Sequence, residues 1–420
     1  MKKVAVFAAA LLAGTIVSAE ISVGADGHGL VNIVDKDYTK TEYDSALGMD
    51  DETDSPDSVS SAEFVGALHF SGNTEDEVLG FNLDLEYTVT GTDLFGTETD
   101  DEGNTVVTSN LALSDEAKVW WKPADWFLGQ VGMIEVDDLR GSVGDWGVGR
   151  RDVGSLDEDM IFDRFYPKAG LALSFYPVEG LFVGATFDTK SGEYDTEDFF
   201  KHFNAGIGYT LDALQLKFAY FGESEDYYED YKGKLEFGVK YDINETNLVE
   251  LGVKVPLWTD DDSRLDAAIT QWLADDPDKE IDYNTNSFQV VLGFQGESDN
   301  LVYKAHAGYM GCATSDDEIT FYGGKLGYNP TLTVDGGIEI GFEHFALGAT
   351  AQYMFMNNST VSKTMNLHFA AAEIYIKKDI VEDCFVFAGV ADEFSFTEKE
   401  DTFKQTTNKV RIPVGIEFAF

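Results

Sequence analysis

Leu79-Gly80-Phe81-Asn82-Leu83-Asp84-Leu85-Glu86-Tyr87-Thr88-Val89 is the stretch on which the fold turns. Odd positions are apolar, and even positions are polar or glycine. Successive side chains of a strand point to opposite faces, so this segment has one apolar and one wet face. The pattern recurs. Leu214, Leu216, Phe218 and Tyr220 oppose Gln215 and Lys217. Leu235, Phe237, Val239 and Tyr241 oppose Lys232, Lys234, Glu236 and Lys240. Val249, Leu251, Val253, Val255 and Leu257 oppose Glu250 and Lys254.

A sandwich and a barrel share this alternation, so the connections must arbitrate. Short ones are Lys122–Asp125, Pro177–Gly180, Leu211–Ala213, Asn244–Asn247, Glu297–Asp299 and Asp379–Asp383. Long ones fall near 35–61, 91–107, 137–167, 191–201, 259–282 and 312–335, and Asp, Glu, Gly, Ser and Thr dominate them. Short turns at one end and long acidic loops at the other, joining strands of ~10 residues, predict an all-β, transmembrane, up-and-down antiparallel barrel. Such a barrel pairs every backbone group and leaves no edge in lipid. About 18 strands fit, within a range of 16–20. Phe321, Tyr322 and Leu326 could supply a further hairpin.

The chain has 420 residues, 29 Lys+Arg and 77 Asp+Glu, for a formal charge of −48. That balance argues against nucleic acid, which needs clustered cations, and against anionic headgroups. A composition 44% hydrophobic and 13% aromatic is too rich for a disordered chain. Lys2 and Lys3, the apolar run Val4–Val17 and Val17-Ser18-Ala19 predict a signal peptide over 1–19. Residues 20–420 would then form a barrel in a bacterial outer membrane. At the other end, Val410, Ile412, Val414, Ile416, Phe418 and Phe420 alternate with Arg411, Pro413, Gly415, Glu417 and Ala419. A last strand closing on Ile416, Phe418 and Phe420 resembles the signal read by the barrel-insertion machinery, an expected partner.

Loop 137–167 holds four of the six Arg of the chain: Arg140, Arg150, Arg151 and Arg164. Asp137, Asp138 and Asp152 are among the acids beside them. Arg suits fixed pairing with carboxylates. The loop is therefore expected to fold into the barrel and narrow a pore, the alternative being a solvated loop with internal ion pairs. Lys217, Lys232, Lys234, Lys240, Lys254, Glu236, Glu250 and Arg411 are the candidate lumen wall, since charged rings set ion preference. Acidic loops at the mouth predict mild cation preference over a Debye length of ~8 Å.

Residues 263–275 carry a capping-box spacing at Ser263 and Asp266 with Leu265, Ile269, Trp272 and Leu273 on one face, predicting a short helix in a loop. The acidic loops offer the oxygen ligands that Ca²⁺ takes, but none has EF-hand spacing, so solvated surface is the favoured reading over a Ca²⁺ site, and neither a metal nor a cofactor is expected. The six His form no H-E-x-x-H, and no G-x-S-x-G elbow is present. Cys312 and Cys384, at opposite ends of their strands, are expected as free thiols.

Trp120-Trp121-Lys122-Pro123-Ala124-Asp125-Trp126-Phe127, with Gly129, Gly132 and then Asp137-Asp138-Leu139-Arg140-Gly141, resembles a pattern of spirochaete, treponemal-type, porin-like outer-membrane proteins. The resemblance covers about 25 residues and implies a barrel from a diderm bacterium with a porin or surface-antigen role. The expectation is passive diffusion of small hydrophilic solutes. Competing readings are a substrate-specific channel for sugars or hydrophobic compounds, an adhesin or antigen barrel, and a lipid-degrading barrel enzyme with a Ser/His pair. Outer-membrane lipid is an expected partner, and a trimer is one arrangement open to such a barrel.

Overall fold

The computed structural model describes residues 20–43, 50–54, 61–91, 108–144, 158–167, 169–188, 202–222, 231–258, 285–314, 320–321, 324–325, 331–360, 363–399 and 403–420. The predicted signal peptide, the helix at 263–275, and Arg150, Arg151 and Asp152 lie outside them.

The chain enters on β1 (Glu20–Tyr43), with β2 (Asp50–Asp54) beside its far end. Then follow β3 (Ser61–Asn73), β4 (Leu79–Gly91), β5 (Thr108–Ala124), β6 (Phe127–Met133), β7 (Gly170–Val178) and β8 (Leu181–Asp188). Next come β9 (Phe203–Leu211), β10 (Leu214–Phe221), β11 (Tyr231–Asn244), β12 (Asn247–Trp258), β13 (Thr285–Ser298) and β14 (Leu301–Thr314). After the two-residue strands β15 (Thr320–Phe321) and β16 (Gly324–Lys325) come β17 (Thr331–Gly341), β18 (Ala346–Thr360), β19 (Lys363–Val381), β20 (Cys384–Lys399) and β21 (Phe403–Ala419).

Each wall strand pairs antiparallel with its neighbours in the chain, and β1 pairs with β21 from Asp26↔Ala419 to Tyr43↔Phe403. The sheet therefore closes as an antiparallel barrel of eighteen strands. β2 sits outside that count, because it pairs only with the far end of β1. β15 and β16 pair with each other in a separate sheet, so this stretch, where Phe321, Tyr322 and Leu326 suggest a further hairpin, adds nothing to the wall.

Several strands outrun their sequence limits. The first was bounded near 34 and runs to Tyr43, and the expected loop 35–61 is partly ladder. β17 starts at Thr331, inside the connection expected over 312–335. On β1 the upper rungs, Thr39 to Glu42, are Thr, Lys and Glu, so alternation fades there while backbone pairing continues. The turns match the short connections, and the left-handed residues Asp212, Asp299, Asp383 and Gly180 sit in them. Asp and Gly tolerate that backbone best.

The two faces differ in kind. Leu216, Phe218, Phe237, Val239, Leu251, Leu292, Ile338, Leu347, Ile374, Val390 and Ile416 stand exposed on the outside. Their alternates Lys217, Glu236, Glu250, Lys254, Asp335 and Glu373 point inward and are buried. On β21 the apolar row runs from Val410 to Phe420. Ten steps of ~3.3 Å at a tilt of ~40° rise about 25 Å, the height of an apolar barrel band. Near the turns, Trp121, Trp126, Phe127 and Phe175 form an aromatic cluster with centroids 5.1–6.5 Å apart.

Candidate functional site

The wall breaks inward at Gly132. Its φ is +132°, and a Cβ there would stand 2.1 Å from the carbonyl oxygen of Ala117, so only glycine turns the chain at this point. Beyond it the chain leaves β6 and enters the lumen. An inner ladder holds the two arms of loop 137–167 together. Ile134 N–H donates to Pro167 O (3.2 Å), Val136 N–H to Phe165 O (2.9 Å) and Phe165 N–H to Val136 O (3.2 Å). The returning arm opens on α1 (Glu158–Ile161), and Gly141 N–H donates to Phe162 O (2.9 Å).

The arms lie as a belt along the inner faces of β7 to β14. Inward glycines make the room. Leu139 fills the space beside Gly206 and Gly208, Phe162 that beside Gly238, and Val143 and Ile161 that beside Gly293. At Gly252 a Cβ would stand 1.7 Å from the carbonyl oxygen of Ile161. Ile134, Val143, Ile161 and Phe162 are fully buried. Ile134, Val136, Leu139, Phe162 and Phe165 join Ala172, Phe182, Ala219 and Phe221 of the wall in one apolar cluster. Burial of that kind stabilises by ~1.5–3 kcal/mol per large side chain, enough to hold a segment that makes few regular backbone pairs.

Wall side chains then bind the backbone of the belt. Lys217 Nζ donates to Arg140 O (2.7 Å) and to Glu250 Oε1 (2.6 Å), and Ser142 N–H donates to Glu250 Oε2 (2.5 Å). Glu236 Oε2 accepts from Asp163 N–H at 2.9 Å. His306 Nε2 donates to Val143 O (2.9 Å), while its Nδ1 meets Asp335 Oδ1 at 2.7 Å. Lys254 donates to Asp159 O, and Lys254 and Lys234 both pair with the Asp163 carboxylate. Burial by itself would raise that carboxyl, but the ammonium groups of Lys254 and Lys234 outweigh it and hold Asp163 below the usual carboxylate range.

The opposite side of the belt faces the open lumen and carries a chain of charges. Glu135 Oε2 meets Arg164 Nη1 at 2.6 Å, and Arg164 Nε meets Asp159 Oδ2 at 3.5 Å. Asp159 Oδ1 meets Arg140 Nε at 2.9 Å, and Arg140 Nη2 meets Glu158 Oε2 at 3.7 Å. Asp137 is exposed beside them, and Asp138 is hydrogen-bonded to Tyr176. Five acids thus stand against two Arg on this face.

Of the residues singled out from sequence, Arg140, Arg164, Asp137 and Asp138 are brought to the belt, and Lys217, Lys234, Lys254, Glu236 and Glu250 line its seat. Lys240 points inward beside the seat, directly across from Glu250 on β12, and is paired with Asp242 (3.6 Å). Arg411 stands on β21, 2.8 Å from Glu393. The side chain of Lys232 is outside the described residues. Phe418 and Phe420 stack at 5.5 Å, and Phe420 exchanges two backbone hydrogen bonds with Ala25. Glu135, Asp163, His306, Asp335 and the inward glycines were not anticipated. A signal existed only for the glycines, which recur at wet-face positions of neighbouring strands.

Across the lumen Leu30, Tyr375 and Phe387 form a second buried cluster. Tyr375 donates to Glu339 Oε2 (3.0 Å), and Lys377 pairs with Glu339 (2.8 Å) over the Phe385 ring. Among the described residues no group of three His, Cys, Asp or Glu is arranged to hold a metal ion.

No protein-family description matches the sequence, and no curated protein does. Solved structures do. The outer-membrane channel DcaP of Acinetobacter baumannii aligns with 96% of this chain and 98% of its own, at a TM-score of 0.51 and 11% identity. OpdK of Pseudomonas aeruginosa, determined with vanillate, covers 94% of this chain and 99% of its own, at 0.47 and 13%. OmpT of Vibrio cholerae, in a trimer form, covers 96% and 100%, at 0.45 and 8%. The likeness is one of fold.

Proposed function

We propose that this chain is an outer-membrane porin through which small hydrophilic solutes diffuse passively, with mild preference for cations. One observation carries the reading: a closed eighteen-strand barrel whose outer face is apolar over ~25 Å and whose inner face is charged. Barrels of 16–18 strands leave an aqueous channel. The belt covers part of the inner wall and is the natural constriction, with Arg140, Arg164, Asp137 and Asp138 at its edge. Five acids against two Arg on the open face attract cations into a low-dielectric passage. Wall lysines do not reverse this, since Lys217, Lys234 and Lys254 each face a carboxylate.

The remaining parts of the reading follow from it. Residues 1–19 act as a cleaved signal peptide. Ile416, Phe418 and Phe420 present the last strand to the insertion machinery. The W-x-K-P and D-x-L-R-G likeness favours a spirochaete-type porin. A trimer is a natural assembly for such a barrel.

The refolded protein in a planar bilayer should conduct in discrete steps. In a salt gradient the reversal potential should have the sign of cation preference. Absence of steps would overturn the porin reading, and an anion-selective potential would overturn the charge argument alone.

A further inference from the structure

The wall lysines and glutamates invite a role in ion selection, but their geometry gives them another. Lys217 and Glu250 are 1% and 0% exposed in their side chains, so a passing solute cannot reach them. Every polar contact described for the pair is either mutual or made to the belt backbone, at Arg140 O and Ser142 N. Contacts to backbone hold the path of a segment whatever its side chains are. Gly252, paired with Val291 of β13 and two residues along from Glu250 on the same inward face, leaves the gap that the carbonyl of Ile161 occupies. Two independent features thus fix both arms at one height: a charged clasp on the outgoing arm, and a gap for the returning one.

We propose that Lys217, Glu250 and Gly252 are positioning residues that hold the belt in the lumen, and so set the calibre of the pore without touching the solute. This rests on the porin reading above. Ion preference then belongs to the open face of the belt, where the Glu135–Arg164–Asp159–Arg140–Glu158 chain stands in the water path. The clasp carries one charge of each sign. Removing both leaves the net charge of the lumen unchanged, so a change in conductance on its removal reports position and not charge.

G252A and the double variant K217M/E250Q test this. G252A adds one methyl group where a backbone oxygen lies, and alters no charge. Both should raise single-channel conductance about twofold, as a wider water-filled lumen conducts more, and both should admit larger uncharged sugars. A second readout does not depend on conduction. With Cys312 and Cys384 replaced by Ser, a thiol placed by V143C should react slowly with a water-soluble maleimide, because Val143 is fully buried. In the G252A background it should react at least about tenfold faster, tracking the opened population. Folded G252A protein with unchanged conductance and unchanged V143C labelling would overturn the proposal. If the wild type shows no steps, the porin reading fails. The labelling ratio still decides the seat.

Discussion

At the scale of single residues, the balance at Asp163 is the most informative. Its carboxylate answers two ammonium groups, and its amide answers Glu236. Asp163→Asn keeps the shape and removes the charge. Leaving Lys234 and Lys254 short of a counter-charge should weaken docking of the belt by ~2 kcal/mol, read as faster labelling of a thiol at Val143. The carboxyl lies below its ordinary value when docked, so its contribution is present above ~pH 4 and is lost as pH falls through the lowered value. Conductance should therefore stay level from neutral pH down to about 4 and rise only in stronger acid. A rise already complete at pH 6 would point to another group. Residue type and wet-face placement of Lys234 and Lys254 could be read from alternation. Their partner could not, because Asp163 lies some 70 to 90 positions away along the chain.

At the scale of elements, the last strand closes the molecule. β21 pairs with β20 on one side and with β1 on the other, and Phe420 ends that seam through two backbone hydrogen bonds to Ala25. Deleting Phe420 removes both bonds and one aromatic at the rim. Folding yield into detergent or liposomes, followed as the heat-modifiable band on a gel, should drop several-fold with the fold of the product unchanged. The hairpin between β3 and β4 offers a milder case. Thr74 Oγ1 donates to Asp76 Oδ1 (2.6 Å) and accepts from Leu79 N–H (3.3 Å). Thr74→Val should cost about 1 kcal/mol in urea unfolding, the worth of an ordinary hydrogen bond. Such turns were legible from their Asp, Asn and Gly. The extension of β1 to Tyr43 was not, since its upper rungs have no dry face to mark them.

At the scale of the whole molecule, one choice of face governs everything. Leu216 and Gln215 are adjacent on β10, yet one side chain points outward and the other to the lumen. Leu216→Arg should cost ~2–4 kcal/mol if it lies near the middle of the bilayer, while Gln215→Arg should fold normally and change only conductance. Equal effects from the two would mean that the outer face does not meet hydrocarbon. Quenching of Trp121 and Trp126 by lipids brominated near the headgroups gives an independent check on depth, since both rings are exposed on the outside.

Sequence alone determined the strands, their turns and the sense of each face, because the two-residue period, the Asp and Gly turns and the acidic loops are local properties that survive without the fold. It also marked loop 137–167 by its Arg. Only the tertiary structure decided that this loop lies against β7 to β14, and that Gly206, Gly238, Gly252 and Gly293 form one seat. These glycines come from four strands and become neighbours only once the register is set. It likewise decided that Lys217 is clasped against Glu250 rather than presented to the pore, because the identity of a charge is written in the chain but its counter-charge is chosen by packing.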